Sequence, residues 1–291
     1  MYLYNIIDRK IFRPLQTLPM QWYYSAKKKY DLLDRGERLH HIVVSLTSFP
    51  ARFATLHFAI KSILNQKLKP DVVFLCLTKE EVESEADLPP SVLDLKKFGL
   101  HVFLASDNLK PHNKYLYAMQ TYSDSLVITV DDDNMYDRNL VCDLYASYLK
   151  HPRVVSARRV HKITKDKDGN LFPYKKWHHE CRDTTAPSHE LLATGVGGVL
   201  YPPSILPPES FDATNIRELC LNADDIWLKF MELKNNVPVV WVKNNRVHPL
   251  AIKNTQMVTL QKDNNRGNHN DKYINKMQEH YKTNIVSYLG S

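Results

Sequence analysis

From residue 41 onward, apolar positions follow two alternating patterns. Runs at 41–46 (HIVVSL), 71–78 (DVVFLCLT), 100–105 (LHVFLA) and 125–130 (SLVITV) are short, continuous and rich in β-branched residues, the pattern of strands buried on both faces. Between them the apolar spacing becomes helical. Leu56, Ile60, Ile63 and Leu64 share one face of a helix predicted over 54–66, and further helices are predicted over 91–98, 113–122 and 139–151. Another apolar run occupies 154–157. Such alternation argues for an α/β chain of right-handed βαβ units, with a mainly parallel sheet flanked by helices. Ligands of these sheets bind beyond the carboxyl ends of the strands, so the residues just after each run are the ones to examine.

The second half is less regular. Segments 174–180 (YKKWHHE), 194–203 (TGVGGVLYPP) and 205–208 are rich in aromatics, glycine and proline, a composition common in loops that shape a binding face. A helix is predicted over 225–234, a strand over 237–242 and a final helix over 271–288. The expected organisation is a basic, aromatic helical extension over 1–38, a catalytic-size α/β domain over 39–250 with halves meeting near residue 135, and a C-terminal loop and helix over 251–291.

Composition narrows the class. With 43% hydrophobic and 24% charged residues, the chain is neither disordered nor fibrous. Cys76, Cys142, Cys181 and Cys220 lie far apart and form no CxxC pair, so no zinc knuckle or redox dithiol is encoded locally, and a reducing compartment is the simpler expectation. No apolar run has the length of a signal peptide core or a membrane span, which predicts a cytoplasmic protein. The net charge of +7 suits a polyanionic partner: nucleic acid, anionic membrane or diphosphate.

The strongest chemical signal is Asp131-Asp132-Asp133, directly after the 125–130 run. Three adjacent acids repel one another, and a divalent cation is the usual remedy. Mn²⁺ and Mg²⁺ favour a few carboxylate oxygens together with phosphate and water oxygens, so a D-x-D pair at a strand end suits a metal that bridges a diphosphate. The competing reading is an acidic turn ahead of the next helix. A second pair, Asp224-Asp225, opens the stretch IWLKF. It suits a helix N-terminus, and it also supplies a carboxylate able to accept a hydroxyl proton.

On SLTSFPARF, SDNLKPHNK, TVDDDNMY, TGVGGVLYPP and NADDIW, the chain over about residues 41–248 resembles the GT-A nucleotide-sugar glycosyltransferases, especially the bacterial ones that build capsules, lipopolysaccharide and other surface polysaccharides. The resemblance implies a GT-A, Rossmann-like fold. It implies Asp131 and Asp133 as ligands of Mn²⁺ or Mg²⁺, with His248 as a third, and Asp132 near the ribose or sugar. Asp225 is implied as the base of an inverting hexosyl transfer, with Asp224 as its understudy. An Asp-Asp pair in place of the commoner Glu-Asp leaves a retaining reaction open.

Thr47, Ser48 and Arg52 fall where the nucleotide is received, and Asp107 and Lys114 where base or phosphate is contacted. Arg52 and Lys114 have ordinary structural uses as well. Trp177 and His179 suit the acceptor side or core packing, Gly195, Gly197 and Gly198 suit close backbone approach beside an acceptor, and Tyr201 falls on the acceptor side. The donor implied is a UDP-sugar, and the acceptor a glycan or lipid-linked glycan.

Two rivals remain. A sugar-phosphate nucleotidyltransferase shares the sheet, metal and strand-end acids, but lacks support here because no N-terminal glycine-rich segment is present. A polyanion-binding module is suggested by charge alone, yet the basic residues are scattered and no nucleic-acid signature occurs, so no nucleic-acid partner is expected. Basic and aromatic residues alternate over 2–30, including Arg9, Lys10, Trp22, Tyr23, Lys27, Lys28 and Lys29. That pattern suits peripheral contact with the inner face of a membrane, or a helix packed on the domain. Lys253, Lys262 and Arg266 lie in a polar stretch that suits an exposed connection or a loop closing on the donor.

Overall fold

A computed structural model of the 291-residue chain describes residues 13–31, 39–244, 248–253, 255 and 269–289. Its centre is a seven-stranded sheet in the order β10 (Val239–Trp241), β6 (Val155–Ala157), β9 (Val199–Tyr201), β4 (Leu126–Thr129), β1 (Ile42–Thr47), β2 (Val72–Thr78) and β3 (Leu100–Ala105). Strands β1, β2, β3 and β4 run parallel, in registers such as Val43 opposite Val72 and Val44 opposite Ile128. Strand β9 enters antiparallel between β4 and β6, and β10 runs parallel to β6. Two small pairs stand apart: β5 (Asn134–Met135) with β11 (Leu250–Ala251), and β7 (Val160–Lys162) with β8 (Leu191–Ala193).

The continuous apolar runs exist because both faces of the sheet are covered. On one face Ile42, Val44 and Leu46 of β1 pack with Leu56, Ile60 and Ile63 of helix α2 (Phe53–Leu64). On the other, Val43, Phe74 and Val127 pack with Ala118 of α3 (Asn113–Thr121). Helix α4 (Leu140–Lys150) joins the first face through Leu140, Val141 and Leu144. At the β6-β9-β10 end, α5 (Ala213–Leu219), α6 (Asp224–Lys234) and α7 (His269–Tyr281) close a second core around Trp227. Helix α1 (Arg13–Ala26) lies against this body through buried Tyr24, and Thr17 Oγ1 donates to Ala251 O at 3.3 Å. Leu15, Leu18 and Trp22 face outward, at 67%, 52% and 74% exposure.

Several boundaries differ from expectation for local reasons. The helix expected over 91–98 is two short turns, Pro90–Leu93 and Lys96–Phe98, ended by Gly99 at φ 100°. The helix expected over 271–288 stops at Tyr281, and a separate turn, Ile285–Tyr288, begins where the Asn284 side chain accepts from Val286 N. Arg9, Lys10, Lys262 and Arg266 lie outside the described residues.

Candidate functional site

The segments after β1 and β4 and the first turns of α3 and α6 bring together eight polar side chains: Ser48, Arg52, Lys114, Asp131, Asp132, Asp133, Asp224 and Asp225. Beyond β4 the chain enters Asp131–Asp133 before pairing as β5. Asp131 N donates to Tyr136 Oη at 2.8 Å, and Tyr136 Oη donates to Val196 O at 3.3 Å, so a buried tyrosine fixes the turn that displays the acids. Behind them Ile252 N donates to Asp133 O at 2.8 Å, continuing the β11-β5 pairing.

From the end of β1, Ser48 Oγ donates to Asp132 Oδ2 at 2.6 Å, and Arg52 pairs with Asp132 and, at 3.3 Å, with Asp133. Thr47 instead turns back to the sheet, donating to Cys76 O at 2.8 Å. From α3, the buried Lys114 ammonium lies 2.9 Å from Asp131 Oδ1 and 2.9 Å from Asp224 Oδ2. Asp225 Oδ1 accepts from Gly195 N at 3.0 Å. Gly195 packs closely on the lysine: a Cβ there would stand 2.5 Å from Lys114 Nζ and 3.4 Å from Asp131 Oδ1, so the ammonium would have to shift.

Five carboxylates thus face two cations, and the imbalance shows in their protonation. Burial, with the charge of Asp131 added, pushes Asp133 up to about 7. Burial, with the charge of Asp224 added, pushes Asp225 up to about 7, although Lys114 opposes the rise. Asp132 is raised by burial against the pull of Arg52. In Asp224 burial is outweighed by Lys114, and the group is held below its ordinary value. Lys114 is likewise held charged, its burial outweighed by Asp131, Asp224 and Asp225. Five carboxylates against two cations leave negative charge that Arg52 and Lys114 do not neutralise. An all-oxygen set with surplus charge is a fitting environment for Mn²⁺ or Mg²⁺.

The remaining expected residues have other partners. His248 Nε2 stands 2.5 Å from Glu180 Oε1, and Arg159 Nη2 stands 3.2 Å from the same oxygen. Trp177 is buried in the second core, with Nε1 donating to Phe172 O at 2.8 Å. His179 Nε2 bonds Tyr174 O at 3.0 Å, and its ring meets His161. A Cβ on Gly197 would stand 2.6 Å from Arg159 Cβ, and one on Gly198, at φ +87°, would stand 2.5 Å from Leu140 Cδ1. Tyr201 is buried in β9. Asp107 pairs with Arg217 at 2.6 Å on the surface.

Sequence reasoning assigned no role to Arg159 or Glu180, which form a network with His248, and it read Gly195 as lying beside an acceptor, whereas its close approach is to Lys114. Arg158 and Arg159 follow the end of β6, so examining each strand's carboxyl end would have found them.

No family profile and no curated protein matches the sequence. Among solved structures, the chain is similar to the mannosyltransferase PcManGT from Pyrobaculum calidifontis in complex with GDP-Man and Mn²⁺. The TM-score is 0.52 at 11% identity, covering 98% of this chain and 79% of that one. It is also similar to S. aureus TarS 1-349, with a TM-score of 0.47 at 14% identity over 86% of this chain and 75% of that one. The mainly parallel, helix-flanked sheet is a GT-A, Rossmann-like fold.

Proposed function

We propose that this chain is a divalent-metal-dependent glycosyltransferase that moves a sugar from a nucleoside diphosphate to a hydroxyl of a glycan or lipid-linked glycan. The observation that carries the reading is the joining of Asp131 and Asp224 by the single buried ammonium of Lys114, which links a strand-end acid triplet to an acid pair at a helix start. Open α/β sheets receive their ligands beyond the carboxyl ends of their strands, which supports this reading of residues that follow β4. UDP-sugars are the first donors to test, and GDP-mannose joins them because the similar mannosyltransferase was solved with it.

In the proposed reaction Asp225 accepts the proton of the acceptor hydroxyl as that oxygen bonds to the sugar's anomeric carbon. The bond from this carbon to the diphosphate oxygen breaks, and its electron pair leaves with the nucleoside diphosphate. Asp131 and Asp133 would hold Mn²⁺ or Mg²⁺, which when bound neutralises charge on the diphosphate. Arg52 orients Asp132 and Asp133, and Lys114 keeps Asp224 ionised. Displacement by an acceptor on the opposite face inverts the anomeric centre.

Helix α1 supports a membrane-side acceptor. Its outward Leu15, Leu18 and Trp22, followed by exposed Lys28 and Lys29, match an anionic bilayer surface. No described helix is long and apolar enough to cross a membrane.

The test is release of nucleoside diphosphate from a panel of UDP-sugars and GDP-mannose with Mn²⁺, with and without glycan acceptors. The reading expects release from one donor that stops in Asp131→Ala/Asp133→Ala and stays below a hundredth in Asp225→Asn. Pyrophosphate release from a nucleoside triphosphate and a sugar phosphate would replace it with the nucleotidyltransferase reading.

A further inference from the structure

On the segment after Trp177, one ligand atom from each of His178, Cys181 and Asp183 lies within 4.8 Å of the others. The backbone holding them is fixed. His178 N donates to Lys162 O at 3.0 Å and accepts in return at its own carbonyl at 2.9 Å, while Cys181 N donates to Val160 O at 3.0 Å. Between the two ligands Glu180 takes φ 56°, a left-handed conformation that costs a non-glycine residue roughly 1–2 kcal/mol. That turn sends the Glu180 side chain inward to Arg159 and His248 and brings His178 and Cys181 round to the same side.

The donor set is chemically selective. Cys181 Sγ is buried and donates its proton to Asp183 Oδ1 at 2.7 Å, and His178 Nδ1 lies 3.8 Å from Asp183 Oδ2. The thiol proton therefore occupies the place where a cation bridging sulfur and carboxylate would sit. A thiolate, an imidazole and a carboxylate suit Zn²⁺, whereas Mg²⁺ and Mn²⁺ prefer oxygen alone. With bonds of about 2.0–2.3 Å, tetrahedral zinc sets its ligand atoms roughly 3.3–3.7 Å apart. His178 and Asp183 are 52% and 67% exposed at their side chains and free to close by rotation.

We propose that His178 Nδ1, Cys181 Sγ and a carboxylate oxygen of Asp183 form a zinc site, separate from the donor site, with water as fourth ligand. Binding releases the Cys181 thiol proton to solvent as the sulfur–zinc bond forms. The ion ties residues 178–183 together and thereby steadies Glu180 on Arg159 and His248.

Cobalt(II) tests the assignment, because thiolate coordination gives it a near-ultraviolet charge-transfer band and tetrahedral geometry gives strong visible bands. The full-length protein, stripped with EDTA and kept reduced, is titrated with Co²⁺ and then with Zn²⁺. One equivalent should produce both bands, Zn²⁺ should abolish them, and Asp131→Ala/Asp133→Ala should retain them. Cys181→Ser should lose the charge-transfer band. The surface variants His178→Ala and Asp183→Asn, which leave the buried cysteine in place, should bind Co²⁺ at least about tenfold more weakly. Absence of the bands in the wild-type protein, or their survival in Cys181→Ser, would overturn the proposal. Unchanged affinity in both surface variants would do the same if Cys181→Ser does not fold.

Discussion

Replacing Lys114 with methionine removes the one ammonium that joins the acid triplet to the acid pair while keeping the length of the side chain. The ammonium is 2.9 Å from each of two carboxylates, and its side chain is 6% exposed. At an effective dielectric constant of about 20, each contact carries about 5–6 kcal/mol of attraction, most of it offset by the cost of burying the charges. Taking away the cation leaves that cost uncompensated, and the expected loss of stability is roughly 3–5 kcal/mol. Asp225 registers the change a second time. Lys114 opposes the forces that raise Asp225 to about 7, and a neighbouring opposite charge is worth about 1–3 pH units to a carboxyl group. In Lys114→Met the midpoint of the acid limb for nucleoside diphosphate release should therefore move upward by at least about one unit. Urea unfolding reads the first effect, and rates from pH 5.5 to 9 read the second. Lys114→Arg, which keeps the charge, should leave the midpoint near its wild-type position. A methionine variant as stable as wild type, with an unmoved acid limb, would refute the account of Lys114 as the electrostatic link.

Other predictions follow from the same geometry. Since Asp225 is protonated below about 7, turnover should rise with pH through that value, and Asp225→Asn should remove the limb along with nearly all activity. Asp133 and Asp225 are raised above their ordinary 3.8, so ionising them costs fold stability as pH climbs from about 4 to about 7; Mn²⁺ should therefore raise the melting temperature more at pH 8 than at pH 6. Gly198→Ala meets both a positive φ and Leu140 and should cost about 1–3 kcal/mol in urea unfolding, whereas Gly195→Ala, which meets the movable end of Lys114, should lower activity more than stability. Leu18→Glu/Trp22→Glu should abolish flotation with anionic vesicles while leaving donor hydrolysis intact; equal flotation would remove the membrane contact.

Long, strongly patterned elements were legible in the sequence, and elements held by distant partners were not. The β-branched run ending at Thr129 announced β4 and the acids beyond it, because a strand buried on both faces must be apolar throughout. Strand β9 went unread inside TGVGGVLYPP, since three residues between glycines and prolines carry no period, and its pairing with β4 and β6 comes entirely from the tertiary fold. The two-residue strands β5 and β11 are 115 or more positions apart in sequence and leave no local trace. At the site, the residue types of Asp131–Asp133 and Asp224-Asp225 announced their chemistry. Lys114 was visible as a helix-start cation, but its bridging of Asp131 to Asp224 depends on how α3 and α6 meet. Trp177 was ambiguous for a physical reason: an aromatic with a polar edge suits a sugar or a core equally, and its indole N–H found Phe172 O.

The most direct test of the donor site is calorimetric titration of UDP and GDP into the protein with Mn²⁺, with EDTA, and into Asp131→Ala/Asp133→Ala. The account predicts that one nucleotide binds with Mn²⁺ and that EDTA or the double substitution weakens this binding at least about a hundredfold, the magnitude expected when a bridging metal and its carboxylates are lost. Binding of equal strength in all three conditions, or none for either nucleotide, would contradict it.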